Sequence, residues 1–211
     1  MKTKLTRTLT ATALSILVAA LPAACNDKEP PKPNPPASTG SSPAASASPS
    51  APAAASGHVV NNGPSYKMPA EACKLLTVEP FADLYPGAKT RLDPLGPGKC
   101  NITIGELPGG LIISTTVEIV RGGRGAATGQ FEGLRSIEER DNPGKVKNFA
   151  GVGSAAYTYD GMLGPVLVVV HGDAYVRVVV AKLGRSAVIP PDTADRAAKI
   201  ARQILAGLPA A

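Results

Sequence analysis

The chain has no tryptophan, two histidines, three cysteines and only 4% aromatic residues. Three cysteines cannot build a disulfide-dense scaffold. Together with two histidines they leave little for a zinc site. There is no His-Glu-x-x-His, no clustered Asp/His pattern and no Gly-Lys-Ser/Thr phosphate loop. Gly184-Arg185-Ser186-Ala187-Val188 lacks the final glycine of a nucleophile elbow, and Gly153-Ser154-Ala155 has no supporting pattern. His58 lies in a Pro/Ala/Ser-rich stretch, so His171 is the one histidine placed to act as a base. It flanks a hairpin turn, where an exposed polar residue is expected anyway. No apolar run approaches the ~20 residues that span a bilayer as a helix. This inventory names no catalytic residue, no cofactor-binding residue and no metal ligand.

What is present divides the 211 residues into three segments. Lys2, Lys4 and Arg7 precede a short apolar run from Leu14 to Leu21, and small residues follow at Ala23 and Ala24. That order is a secretory signal peptide over 1–24. Residues 25–65 hold Cys25 and a stretch dense in Pro, Ala and Ser with no aromatic residue until the domain begins. Such a composition cannot bury enough apolar surface to offset its ordering entropy, so it reads as a disordered tether. Residues 66–211 carry all eight aromatics and read as one globular domain large enough for a core.

The formal charge of +6 belongs to the whole chain, and three of its positive charges lie in the signal. The domain itself carries 17 basic and 14 acidic residues, a charge of +3. That is too mild, and too poor in aromatic platforms, to indicate nucleic acid as a partner.

Leu21-Pro22-Ala23-Ala24-Cys25 resembles a bacterial lipoprotein signal. The resemblance implies that Cys25 becomes the mature N-terminus and carries lipid. Pro22 stands where that signal usually has leucine, and Val18-Ala19-Ala20 offers an ordinary signal-peptidase site as the alternative. Cys73 and Cys100 then remain as an even pair in an exported, oxidising compartment, which predicts a disulfide. The closed loop is worth about 3 kcal/mol on the chain-entropy model. The pairing holds equally if Cys25 is unlipidated or removed.

Within the domain, 70–76 reads as a helical turn, and Thr77 as the N-cap of a short helix over 78–85. Residues 92–98 read as loop, 100–104 and 111–120 as strands. The glycine-rich stretch 122–129 reads as a break, with Arg121 and Arg124 able to meet an anion, and 128–140 as a helix carrying Phe131, Leu134 and Ile137. Glu138-Glu139-Arg140-Asp141 reads as a solvated face. Residues 155–160 read as a strand. Val166–Val170 and Tyr175–Ala181 read as a hairpin turning at Gly172-Asp173. A two-residue loop pairs Val169 with Val176 and Leu167 with Val178 on one face, and both faces are apolar. Asp192 caps a last helix with an Ala-rich stripe through Leu208. The fold class is α+β, a mostly antiparallel sheet packed with a C-terminal helix.

Cys73-Lys-Leu-Leu-Thr77, the second cysteine, Gly151-Val-Gly-Ser-Ala-Ala156, the Gly-Asp hairpin and the final Ala-rich helix together resemble an actinobacterial lipoprotein family of unknown function. The second cysteine there is often followed by an aromatic residue, where this chain has Asn101. The resemblance covers about 66–208, implies an envelope lipoprotein and supplies no activity. A more distant similarity is to PsbP-like domains and to extracellular sensor domains of some mycobacterial kinases. The expected protein is a lipid-anchored, extracytoplasmic binding or interaction domain at the cell membrane, secreted if Cys25 is not lipidated. Its expected partners are the membrane, through lipid on Cys25, and an envelope protein, a wall polymer or a small apolar ligand. The alternatives are an envelope hydrolase and a structural accessory subunit.

Overall fold

The computed structural model describes residues 59–106 and 108–211. Cys25, with the predicted signal over 1–24 and most of the predicted tether, lies outside the described residues.

Seven strands form one antiparallel sheet: β1 (Thr90–Pro94), β2 (Lys99–Ile104), β3 (Gly110–Ile119), β4 (Lys147–Phe149), β5 (Ala155–Gly161), β6 (Gly164–His171) and β7 (Ala174–Leu183). Their spatial order is β1-β2-β3-β7-β6-β5-β4. The helices are α1 (Glu79–Ala82), α2 (Gly123–Asp141) and α3 (Thr193–Gly207), with a 3₁₀ turn at Ala72–Leu75. The α+β class and the antiparallel sheet stand as the sequence predicts.

The β6–β7 hairpin sets this arrangement. Val169 pairs with Val176 and Leu167 with Val178, the expected register. Side chains alternate across a strand, so this register puts Leu167, Val169, Val176, Val178 and Val180 on one face. Val166, Val168, Val170 and Tyr175 point to the other. Neither face can be left in water. Helix α3 covers the first with Ala197, Ala198, Ile200, Ala201 and Ile204, its small residues allowing close approach. Helix α2 covers the second with Ala127 and Phe131. The C-terminal helix is therefore one of two covering layers. The β1–β3 part of the α2 face carries half-exposed Asn101, Thr103, Ser114 and Thr116 instead.

Several elements differ from their sequence reading. Helix α2 begins at Gly123, so most of the predicted glycine-rich break is its first turns. Gly122 precedes it in the left-handed region at φ 97°. Anchoring of Ala127 and Phe131 on the sheet overrides the poor propensity of glycine. Of the three residues that mark the helical spacing, Phe131 is buried, whereas Leu134 and Ile137 are exposed. Thr77 is no N-cap: its hydroxyl accepts from Gln203 Nε2 of α3 at 2.8 Å. Asp192 makes no cap bond either, because its carboxylate takes Arg196 Nε at 2.9 Å. Strands β1 and β4 are additions, both short, polar and at the sheet edges.

Residues 59–65, which composition assigns to the tether, are bonded to the domain. Asn61 Nδ2 donates to the Gly172 carbonyl at 2.7 Å and to Thr128 Oγ1 at 3.1 Å. Asn61 Oδ1 accepts from the Gly172 N–H at 2.7 Å. The strap approaches the hairpin turn so closely that a Cβ on Gly172 would lie 1.6 Å from the Pro64 carbonyl oxygen. The Tyr66 N–H donates to buried Asp173 at 2.8 Å, and Tyr66 bridges to Ala210. The end of the sheet that holds the β6–β7 turn is thus closed by both ends of the described chain.

Cys73 in the 3₁₀ turn and Cys100 in β2 form the predicted disulfide, with Cα atoms 5.2 Å apart. Cys100 is fully buried, so the bridge fastens the first turn to the core. Replacing both cysteines with serine should lower the unfolding free energy by about 2–5 kcal/mol in urea titration. An unchanged midpoint would show that the bridge contributes nothing.

Candidate functional site

The sequence-selected candidates separate in space. The structure does bring two of them together: Ser154 Oγ lies 3.0 Å from His171 Nδ1. This is a cross-strand pair at the strap end, because Ala155 pairs with Val170. The proximity requires strand register and is invisible in a spacing of 17 residues. Yet the ring lies against the strap: a Cβ on Gly63 would fall 2.7 Å from His171 Nδ1. Tyr66 packs on it with ring centroids 6.1 Å apart. The pair therefore works as a strut under residues 59–66, with no room for a substrate at the bonded nitrogen. Ser186 donates to the Pro108 carbonyl at 2.7 Å and fixes a loop. Arg124 lies within the first turns of α2, and Arg121 just before it. In the acidic run, Arg140 pairs with Asp141, and Arg135 bonds Glu139. Among the described residues no three His, Cys, Asp or Glu side chains gather as a metal site.

Recessed surface, exposed apolar side chains and unpaired cations meet at the opposite end of the sheet. The β5–β6 turn is Met162-Leu163, closed by the Gly161–Gly164 pair. Its two side chains stand in solvent, Met162 at 101% and Leu163 at 70% relative exposure. Hairpins with two-residue loops favour Asn, Asp or Gly there, since these residues suit the turn backbone and water. Two apolar residues at such a tip have no structural reason in the fold. Gly161-Met-Leu-Gly164 between two strands is the sequence signal that could have drawn attention to it.

A cleft lies beside this tip on each face of the sheet. On the α3 face a cleft of about 420 Å³ lies between β5, the loop before α3 and the segment that leads into β4. Lys145, Lys147, Thr158, Asp160, Pro165 and Ile189 line it. On the α2 face a cleft of about 450 Å³ reaches Met162 itself, with Glu138, Asn142, Tyr159 and Arg177 around it.

The second cleft is organised by a buried hydroxyl network. Arg177 Nη2 donates to the Tyr159 hydroxyl at 3.2 Å, with Glu138 in the same cleft. Asn142 Nδ2 donates to Glu138 Oε2 at 3.3 Å. Beneath them Tyr157 and Tyr175 lie in one buried cluster, and Phe131 tilts onto Tyr157 at 5.0 Å. Burial raises all three tyrosines above the ordinary phenol range, Tyr175 to about 12. Burial disfavours the phenolate, and for Tyr175 it outweighs the opposing pull of Arg177.

These shifts have a consequence at high pH. An acid whose folded pKa is raised contributes stability fully present below its unfolded value, near pH ~10. That contribution is lost as pH rises through the folded value. Ultraviolet absorbance titration should find Tyr157, Tyr159 and Tyr175 un-ionised past pH ~10, with unfolding as pH approaches about 12, the Tyr175 value. Ionisation of these three near pH ~10 in the folded chain would contradict the network.

No family model, no curated protein and no solved structure matches this chain.

Proposed function

We propose that this protein is a lipid-anchored extracytoplasmic domain that binds at the cell envelope and does no covalent chemistry. The observation that carries the reading is the composition of the β5–β6 end. Its two clefts present lysines, an arginine, tyrosine and carboxylates beside exposed Met162 and Leu163. The Ser154–His171 pair, the nearest approach to a nucleophile and base, is a strut at the other end. The Cys73–Cys100 bridge supports export, because disulfides persist in oxidising compartments. The signal and Cys25 supply the anchor, as the resemblance to lipoprotein signals implies.

Mass spectrometry of the protein isolated from its native envelope tests the anchor. The expected N-terminus is Cys25 carrying acyl chains. An unmodified N-terminus after Ala20, or one at any other residue, overturns it. Cross-linking in the same envelope tests the binding role. The expected products pass through residues of the β5–β6 end. A purified chain that turns over an ester or glycoside, and loses turnover on a single polar substitution, overturns it.

A further inference from the structure

The β5–β6 end differs from the rest of the surface in two independent ways. The first is apolar exposure. Met162 and Leu163 form the tip, and Val188, 72% exposed, lies in the loop between β7 and α3 at the same end. The second is unpaired positive charge. Lys145 and Lys147 lead into and open β4, Lys182 lies near the end of β7 beside the hairpin, and Arg185 follows it. No carboxylate pairs with any of these four among the described residues, whereas Arg140 holds Asp141 and Arg196 holds Asp83 and Asp192. Among the described residues the carboxylates at this end with no cation partner are Glu138, Asp160 and Asp195. Cations therefore outnumber them here.

We infer that the Met162–Leu163 tip enters a lipid bilayer that carries anionic headgroups, giving the domain a second membrane contact besides the acyl anchor. This inference rests on the lipid-anchored reading above. The tip is a narrow turn, and a stable protein interface needs about 800 Å² from each partner. A bilayer makes no such demand: it accepts a small apolar point, and anionic headgroups meet a surrounding ring of lysine and arginine.

Chain length permits the contact. The described chain starts at the strap end, so the tether must run the length of the sheet for the tip to face the membrane. That length is about 33 Å, the rise of the ten residues of β7. Residues 26–58 can extend to about 110 Å. The excess is roughly threefold, so an anchored Cys25 leaves the domain free to turn its far end downward.

The test uses the full mature chain with Cys25→Ser, which carries no lipid, and sedimentation with vesicles. One set is pure phosphatidylcholine, and the other contains phosphatidylglycerol. Binding to the phosphatidylglycerol vesicles is expected, weakened by salt. The further variant Met162→Ser/Leu163→Ser should lower the partition constant by at least about tenfold. Lys145→Gln and Lys182→Gln should each lower it by about fivefold on the anionic vesicles only. These side chains are exposed, so the unfolding midpoint of every variant should match the parent, which separates loss of binding from loss of folding.

Binding to neither vesicle set overturns the inference, as does a Met162/Leu163 variant that binds like the parent. A dimer in sedimentation equilibrium that this variant dissociates also overturns it, and assigns the tip to a second copy of the chain. Failure of the anchor itself is read separately, in the mass of the native N-terminus.

Discussion

Everything in this domain follows from a hairpin that is apolar on both faces. A strand that alternates apolar and polar residues needs one cover. The valine-rich β6 and β7 need two, so the sheet is enclosed between α2 and α3. The pairing of β7 with β3 then joins the N-terminal and C-terminal halves of the sheet across its centre. Each fully buried valine contributes about 1.5–3 kcal/mol relative to exposure, so the centre outweighs the polar edges. Edge strands β1 and β4 add pairing without much burial.

With both faces occupied, the two ends of the sheet remain for interaction, and they are built differently. The strap end is closed. Asn61 saturates the hairpin turn, Asp173 takes the Tyr66 amide, and the C-terminus pairs with Ser65 and Tyr66. Ser154 and His171 sit beneath this closure. The other end ends in side chains with no partner among the described residues: Met162, Leu163, Lys145 and Lys182. At the base of that end Arg177 of β7 donates to the Tyr159 hydroxyl of β5, and Phe131 of α2 packs on Tyr157.

The central hairpin was legible from sequence because its register depends on local information. Gly172-Asp173 marks the turn, and each valine's face follows from strict alternation. The disulfide was legible from cysteine parity and compartment. The start of α2 was not. Glycine propensity argues for a break, and only the sheet contact of Ala127 and Phe131 reverses it. Leu134 and Ile137 fit a helical period equally well whether buried or exposed, so the period shows the helix but not which of them meets the sheet. Asp192 and Thr77 look like caps in one dimension; partners from elsewhere in the chain, Arg196 and Gln203, claim their oxygens. The candidate site was harder still. Its residues come from the loop before β4, the β5–β6 turn and the end of β7, which only the completed topology brings to one end.

One end of the molecule is thus closed by the strap, and the proposed bilayer contact lies at the other. The depth of nitroxide labels in the acylated full chain on phosphatidylglycerol-containing vesicles tests this most directly. Labels at Leu163→Cys, on the tip, and Leu95→Cys, in the β1–β2 turn at the strap end, are compared by their accessibility to oxygen and to an aqueous nickel chelate. The account predicts a label at 163 within the acyl region and a label at 95 in water. Both labels in water, or the label at 95 in lipid, would contradict it.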